Sequence, residues 1–143
     1  MDAAPNGTVW ISLFWADSIF IPNVIQKTTS YEFGVITWTQ NNGWDSYSRI
    51  SFNTNHYIQN DIAVDGLGNV YVMGNCYSTL QVDGSAIRSF SNTYRTCIAM
   101  WNSSSSSWDD AFGSNSYYNT MYSSSITGTV SYTHLTLPTI CSV

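Results

Sequence analysis

The chain has 143 residues, 9 acidic and 4 basic side chains and a formal net charge of −5; only 9% of its residues are charged and 15% are aromatic. Roughly a quarter of an ordinary soluble domain is charged, so Asn, Ser, Thr and Tyr must carry this surface. Four scattered bases on an acidic chain exclude an electrostatic nucleic-acid binder and a polybasic membrane patch, no apolar run reaches the roughly 18 residues of a transmembrane helix, and the length allows one domain with a real core. The opening Met1-Asp2-Ala3-Ala4-Pro5 has neither the basic start nor the apolar stretch of a signal peptide.

Taken in chain order, Gly7-Thr8-Val9-Trp10-Ile11 predicts a strand leaving a glycine turn. Residues 15–25 are ambiguous, and Pro22 argues against a helix through them. Phe33-Gly34-Val35-Ile36-Thr37-Trp38 predicts a second strand, followed by Trp44-Asp45. His56 reads as a strand-edge residue. Residues 61–65 alternate polar and apolar, as a half-buried strand does. Gly66-Leu67-Gly68 supplies a tight turn, and the β-branched and aromatic run 69–73 is its partner strand. Residues 75–94 are expected to form a polar loop, 96–101 a third strand, 103–107 a serine connection and 108–112 a fourth strand. No segment sustains apolar spacing at i, i+3, i+4, i+7, so no helix is expected.

The chain repeats itself. Gly7 to Ile11 matches Gly68-Asn69-Val70-Tyr71-Val72 at an offset of 61; Trp38 matches Trp101 at 63; Trp44-Asp45 matches Trp108-Asp109 and Ile62 matches Ile126 at 64. The drift falls in loop-like stretches, where repeats tolerate insertion. Four short antiparallel strands per repeat with Gly, Ser and Asn turns make a propeller blade. The expected fold class is therefore all-β, about two four-stranded antiparallel blades of an incomplete β-propeller. Residues 1–56 form a first, weaker blade, 57–122 a second, and 123–129 the start of a third.

Residues 130–143 break the pattern, with no charge and no Gly. Val130 to Thr139 is what a transposase mosaic-end sequencing adapter encodes when read in this frame. The tail is expected to be adapter-derived rather than native and is set aside from the fold. His134, Pro138 and Cys141 go with it, leaving Cys76 and Cys97 as the native cysteines and His56 as the native histidine.

The stretch Asp61-Ile62-Ala63-Val64-Asp65-Gly66-Leu67-Gly68-Asn69-Val70-Tyr71-Val72-Met73-Gly74, then Cys97 to Asn102, then Trp108, resembles the bacterial-type (SBBP-like) β-propeller repeat family, with kelch-like blades as near neighbours. The first repeat is a looser copy, with Trp10 for Tyr71 and Asp2 set two residues further from its glycine. The resemblance implies a large secreted or cell-surface repeat protein whose neighbouring blades complete the ring.

If 69–76 pairs antiparallel with 96–102, Cys76 can sit opposite Cys97; directly opposed Cβ atoms lie about 4.5–5.5 Å apart, against about 3.5–4.5 Å in a disulfide. A bridge is near reach in an oxidising compartment; the alternative is two small buried apolar side chains. Two cysteines without clustered histidines do not make a zinc site. Asp61, Asp65 and Asn69 flank the turn at Gly66 and Gly68; a calcium loop would need other spacing, and turn chemistry favours Asp65 and Asn69 bonding the turn backbone themselves. Repetition of Trp10, Trp38, Trp44, Trp101 and Trp108 favours packing between blades over sugar platforms. Trp15, Tyr117, Tyr118 and Tyr122 are the better candidates for exposed binding aromatics. No Gly-x-Ser-x-Gly elbow occurs, Pro5 and Gly66 stand where a sialidase-type Asp box would need Asp, and Asp17, Asp45, Asp83 and Asp109-Asp110 read as turns or strand ends. The expectation is a non-catalytic binding or scaffold module of an extracellular or surface protein, with a protein or glycan ligand, no cofactor, no metal, no nucleic acid and no membrane insertion. A piece of a carbohydrate-active propeller enzyme and a purely structural surface or virion protein are the alternatives.

Overall fold

The computed structural model describes residues 1–15, 18–21, 24–27, 32–52, 61–89 and 95–113. They form β1 (Asp2–Ala3), β2 (Val9–Trp15), β3 (Ser18–Ile21), β4 (Val24–Lys27), β5 (Glu32–Thr39), β6 (Gly43–Ser51), β7 (Asp61–Val64), β8 (Val70–Cys76), β9 (Thr79–Val82), β10 (Ser85–Ser89), β11 (Arg95–Asn102) and β12 (Ser107–Gly113). Among the described residues there is no helix, and so none long and apolar enough to cross a membrane. The chain is all-β, and its sheets build part of a propeller.

Each repeat folds into one antiparallel meander. In the first, β1-β2-β5-β6 lie side by side; in the second, β7-β8-β11-β12 do. The registers correspond. Trp38 faces Trp44 across β5 and β6 as Trp101 faces Trp108 across β11 and β12. Val9 faces Trp38 as Val70 faces Trp101. Runs such as Val70-Tyr71-Val72 form strands because β-branched and aromatic side chains pack on a pleated surface. Gly68, at φ +82°, takes the left-handed turn position that an L side chain rarely adopts.

Two expectations need correction. Residues 75–94 are not simply a polar loop: they contain the hairpin β9–β10, closed by Asp83 (φ 50°) and Gly84 (φ 84°). Two successive positive φ values make the type I′ turn that matches strand twist. The ambiguous stretch holds the equivalent hairpin β3–β4, and the two pairs next to its turn lie 61 positions before their counterparts, beyond which a bulge shifts the second hairpin by one residue. So both repeats insert a hairpin between their second and third strands. The second hairpin leaves its own meander and extends the first, with Ile50 opposite Val82 and Ser51 opposite Gln81. Asp83 fastens it there. Its N–H donates to the Arg49 carbonyl at 2.8 Å, and its Oδ1 accepts from the Arg49 N–H at 2.7 Å.

Asp2 is the second correction. Ala4, not Asp2, stands where Asp65 stands: the Ala4 N–H donates to the Thr8 carbonyl at 2.8 Å, as the Asp65 N–H donates to the Asn69 carbonyl at 3.0 Å. The Asp2 carboxylate instead reaches the other sheet, where its Oδ2 accepts from the Val64 N–H at 2.8 Å.

The sheets share one core. Phe33, Val35, Ile50, Phe52 and Leu80 of the first pack with Ile62, Val64, Val70, Val72 and Ala99 of the second. Fully burying such a side chain stabilises by about 1.5–3 kcal/mol, and a single blade cannot hide this face alone. Close approach needs glycine at Gly34, against the Tyr47 ring, and at the blade junction. A Cβ on Gly74 of β8 would lie 2.6 Å from two ring carbons of Phe52, which sits just past the end of β6 and is 1% exposed.

Candidate functional site

The Asp65–Asn69 turn links β7 to β8, and its polar groups are spent on each other. Asp65 Oδ1 accepts from the Leu67 and Asn69 N–H groups, each at 2.9 Å. Oδ2 accepts from Asn69 Nδ2 at 2.9 Å and the Tyr71 hydroxyl at 3.1 Å. Partial burial pushes the Asp65 carboxyl pKa up, but the bonds from the Asn69 side chain and from the Asn69 and Leu67 N–H groups, with that from Tyr71, outweigh it and hold it below its ordinary value. Burial, then the bond to that carboxylate and its charge, raises the Tyr71 hydroxyl pKa. An ionised carboxylate with four donors in place is a turn staple. Among the described residues no group of three or more His, Cys, Asp or Glu side chains is placed to hold a metal ion.

Asn69 also ties this turn to the next. Its Oδ1 accepts from the Ser103 N–H at 3.0 Å and the Ser103 hydroxyl at 3.1 Å, and that hydroxyl lies 2.9 Å from the Leu67 carbonyl. Ser103 opens the serine turn between β11 and β12. Asn102 Oδ1 caps that turn, accepting from the Ser104 N–H at 2.9 Å and the Ser105 N–H at 3.3 Å. Ser106 takes φ 51° there.

Beside these turns runs the corresponding turn of the first blade, residues 4–8. Asn6 Oδ1 accepts from the Thr8 N–H at 3.0 Å, and Gly7 takes φ 85°. Between the turns lies a groove of about 300 Å³. Pro5, Asn6 and Thr8 form one wall, Gly66, Leu67 and Gly68 the other; Trp10, Trp101, Ser103 and Ser106 also line it. Among the described residues no charged side chain lines it. Leu67, 81% exposed, marks its rim.

The tryptophans sit where the blades meet. The rings of Trp10 and Trp101 lie 5.9 Å apart at 47°, and Trp108 stands edge-on to Trp10 at 6.4 Å and to Trp101 at 5.7 Å. Trp108 Nε1 donates to Ser48 Oγ at 3.0 Å, from the second blade to the first. These three do pack between blades, and two of them also line the groove, so packing and presentation are not exclusive. Edge-to-face pairs of this kind contribute about 0.5–1.5 kcal/mol beyond the area buried.

The cysteines meet differently from the direct opposition expected of them. Arg95 is the partner of Cys76 and Gly74 the partner of Cys97, so the two cysteines are diagonal across β8 and β11. They are joined in a disulfide, with Cα atoms 6.0 Å apart, and both are fully buried. The strands do pair antiparallel, with a register two residues from the one that would oppose them.

Trp15 ends β2 opposite Glu32, and its side chain lies outside the described set. Tyr117, Tyr118, Tyr122 and His56 lie outside the described residues, as does the tail 130–143. Sequence reasoning found Asp65, Gly66, Gly68 and Asn69 as a turn. It missed that this turn is one wall of a groove whose other wall is the same turn 61 positions earlier. The signal was present: Trp10 follows Gly7 by three residues as Tyr71 follows Gly68, and Trp101 stands two residues before the serine turn opens at Ser103.

Residues 48–79 match the family model described as a beta-propeller repeat, SBBP. The match covers the last residues of β6, all of β7 and β8 and the first residue of β9, so it spans the junction from one blade into the next. No curated protein and no solved structure matches the chain.

Proposed function

We propose that this chain is part of an extracellular or surface β-propeller repeat protein and serves as a non-catalytic binding module, taking its ligand on the face where the inter-strand turns gather. The observation that carries the reading is the groove between the two equivalent turns: concave, bounded by a turn of each sheet, lined by Trp10 and Trp101 and, among the described residues, by no charged side chain. Pre-formed sites with an apolar floor and a few polar groups are the usual form of small-ligand sites. Asp65, in the turn that forms one wall of the groove, has its carboxylate occupied by four donors and held ionised, which unfits it for proton donation. A buried disulfide and a surface of uncharged polar side chains suit an oxidising, extracellular setting.

The test is a ligand screen on the purified chain, following the thermal midpoint and ligand integrity together. A ligand that binds only the folded state raises the midpoint by mass action. The reading predicts such a rise with the ligand recovered unchanged. Turnover of the ligand would overturn the non-catalytic assignment.

A further inference from the structure

We infer that the groove between residues 4–8 and 66–68 is a site for one or two rings of an uncharged saccharide. This rests on the binding-module reading above and adds the chemical class of the ligand and the atoms that meet it. Three observations converge. First, Trp10 and Trp101 line the groove with planes 47° apart. Two indoles tilted to each other give the groove apolar lining that is not coplanar, against which the C–H face of a puckered pyranose ring can lie.

Second, several polar groups on the lining, unlike those of Ser103, have no intramolecular partner among the described residues. Asn6 uses its Oδ1 on the Thr8 N–H, which leaves Nδ2 to donate. The hydroxyl of Ser106 and the indole N–H groups of Trp10 and Trp101 make no hydrogen bond within the described residues. Aromatic faces for the ring and hydrogen-bonding groups for its hydroxyls are what a polyol with one apolar face requires.

Third, among the described residues no Lys, Arg, His, Asp or Glu lines the groove. A phosphate, sulfate or sialic acid carboxylate would enter without a counter-charge, and an ammonium likewise, so a charged ligand would be desolvated without compensation. A volume of about 300 Å³ is at the small end of ligand pockets, which limits the occupant to one or two sugar rings.

The experiment is an NMR titration of the 143-residue chain, following the six indole N–H signals. The probes are neutral disaccharides of glucose, galactose, mannose and N-acetylglucosamine at millimolar concentration, sialyllactose as a charged control, and a proline-rich peptide as a control of another class. Two variants read the site without removing packing. Asn6→Asp keeps the oxygen that caps Thr8 and replaces the donor with a negative acceptor. Ser106→Gly removes a hydroxyl where φ already favours glycine. The expected result is saturable shifts of the Trp10 and Trp101 signals with a neutral disaccharide and weaker binding of sialyllactose. Asn6→Asp should weaken neutral binding about tenfold, the scale of one lost hydrogen bond, and Ser106→Gly several-fold.

Trp101→Ala should abolish binding; should it fail to fold, the other two variants carry the test. Saccharide shifts confined to Trp38 and Trp44, or binding indifferent to both polar variants, would overturn the site while leaving a binding module. Shifts of Trp10 and Trp101 by the peptide alone would overturn the saccharide but keep the groove. No shift with any probe would overturn both this inference and the reading it rests on.

Discussion

Gly74→Ala is the sharpest perturbation the blade junction offers. Gly74 lies in β8 opposite Cys97, and an added Cβ would sit 2.6 Å from two carbons of the Phe52 ring and 2.9 Å from a third. Contacts that short do not survive, so something must move. Phe52 is not free to do so. It is 1% exposed, packs on Phe33 at 5.8 Å, and accepts a bond from the Tyr77 N–H through its carbonyl at 3.1 Å. Forcing one methyl into such a core costs about 1–3 kcal/mol. Phe52→Leu alone should cost a similar amount by leaving a cavity, yet it makes the space that the new methyl needs. The double variant should therefore be more stable than the sum of the singles by at least about 1 kcal/mol, as expected for residues in contact. Urea unfolding, with midpoint and slope read for all four proteins, measures this coupling. Strictly additive losses would refute the stacking of Phe52 of one blade on Gly74 of the next.

Further outcomes follow from the turns, the bridge and the junction. Asp65→Ala removes acceptors from four bonds but not the turn, because Ala4 already supports the same backbone bonds in the first blade; unfolding should show a loss of about 1–3 kcal/mol with the strands intact by circular dichroism. Because folding lowers the Asp65 pKa below its ordinary 3.8, its contribution is present above that value and is lost as pH falls through the lower folded value. The stability difference between Asp65→Asn and the parent should therefore shrink below about pH 4 in acid titrations. Reducing the Cys76–Cys97 bridge, which spans 21 positions, should cost about 3 kcal/mol, read as a lower thermal midpoint in reductant. Trp108→Phe keeps a ring but loses the donor to Ser48, and should cost about 1–2 kcal/mol; its effect should vanish in a Ser48→Ala background apart from lost packing.

The two meanders were legible because their strands are short β-branched or aromatic runs bounded by glycine turns, and because Trp38 and Trp44 recur as Trp101 and Trp108 in matching register. The hairpins were not. Thr79-Leu80-Gln81-Val82 alternates and Asp83-Gly84 is a strong turn signal, yet the surrounding Ser and Asn made the stretch read as loop. Its counterpart, Ser18-Ile19-Phe20-Ile21, shares no identical residue with it. What repeats is the buried strand end, Ile21 at 8% exposure and Val82 at 6%. The Asp65 turn was legible because Asp and Asn bond locally, within five positions. The groove was not, since its walls are 61 positions apart in the chain and meet only when one blade packs on the next. The cysteine register failed for a related reason: strand pairing can be read from pattern, but a shift of two residues keeps every side chain on its own face and leaves no trace in the alternation.

The measurement that bears most directly on the stacked blades is a set of nuclear Overhauser contacts between tryptophan rings in the 143-residue chain. The account predicts cross-peaks from the Trp10 indole to both Trp101 and Trp108, with ring centres at 5.9 and 6.4 Å, and from the Trp108 indole N–H to the Ser48 β protons. Strand-to-strand contacts confirming both meanders, with no ring contact between Trp10 and either partner, would contradict it: the blades would then fold as separate sheets, and neither the shared core nor the groove between the turns would exist.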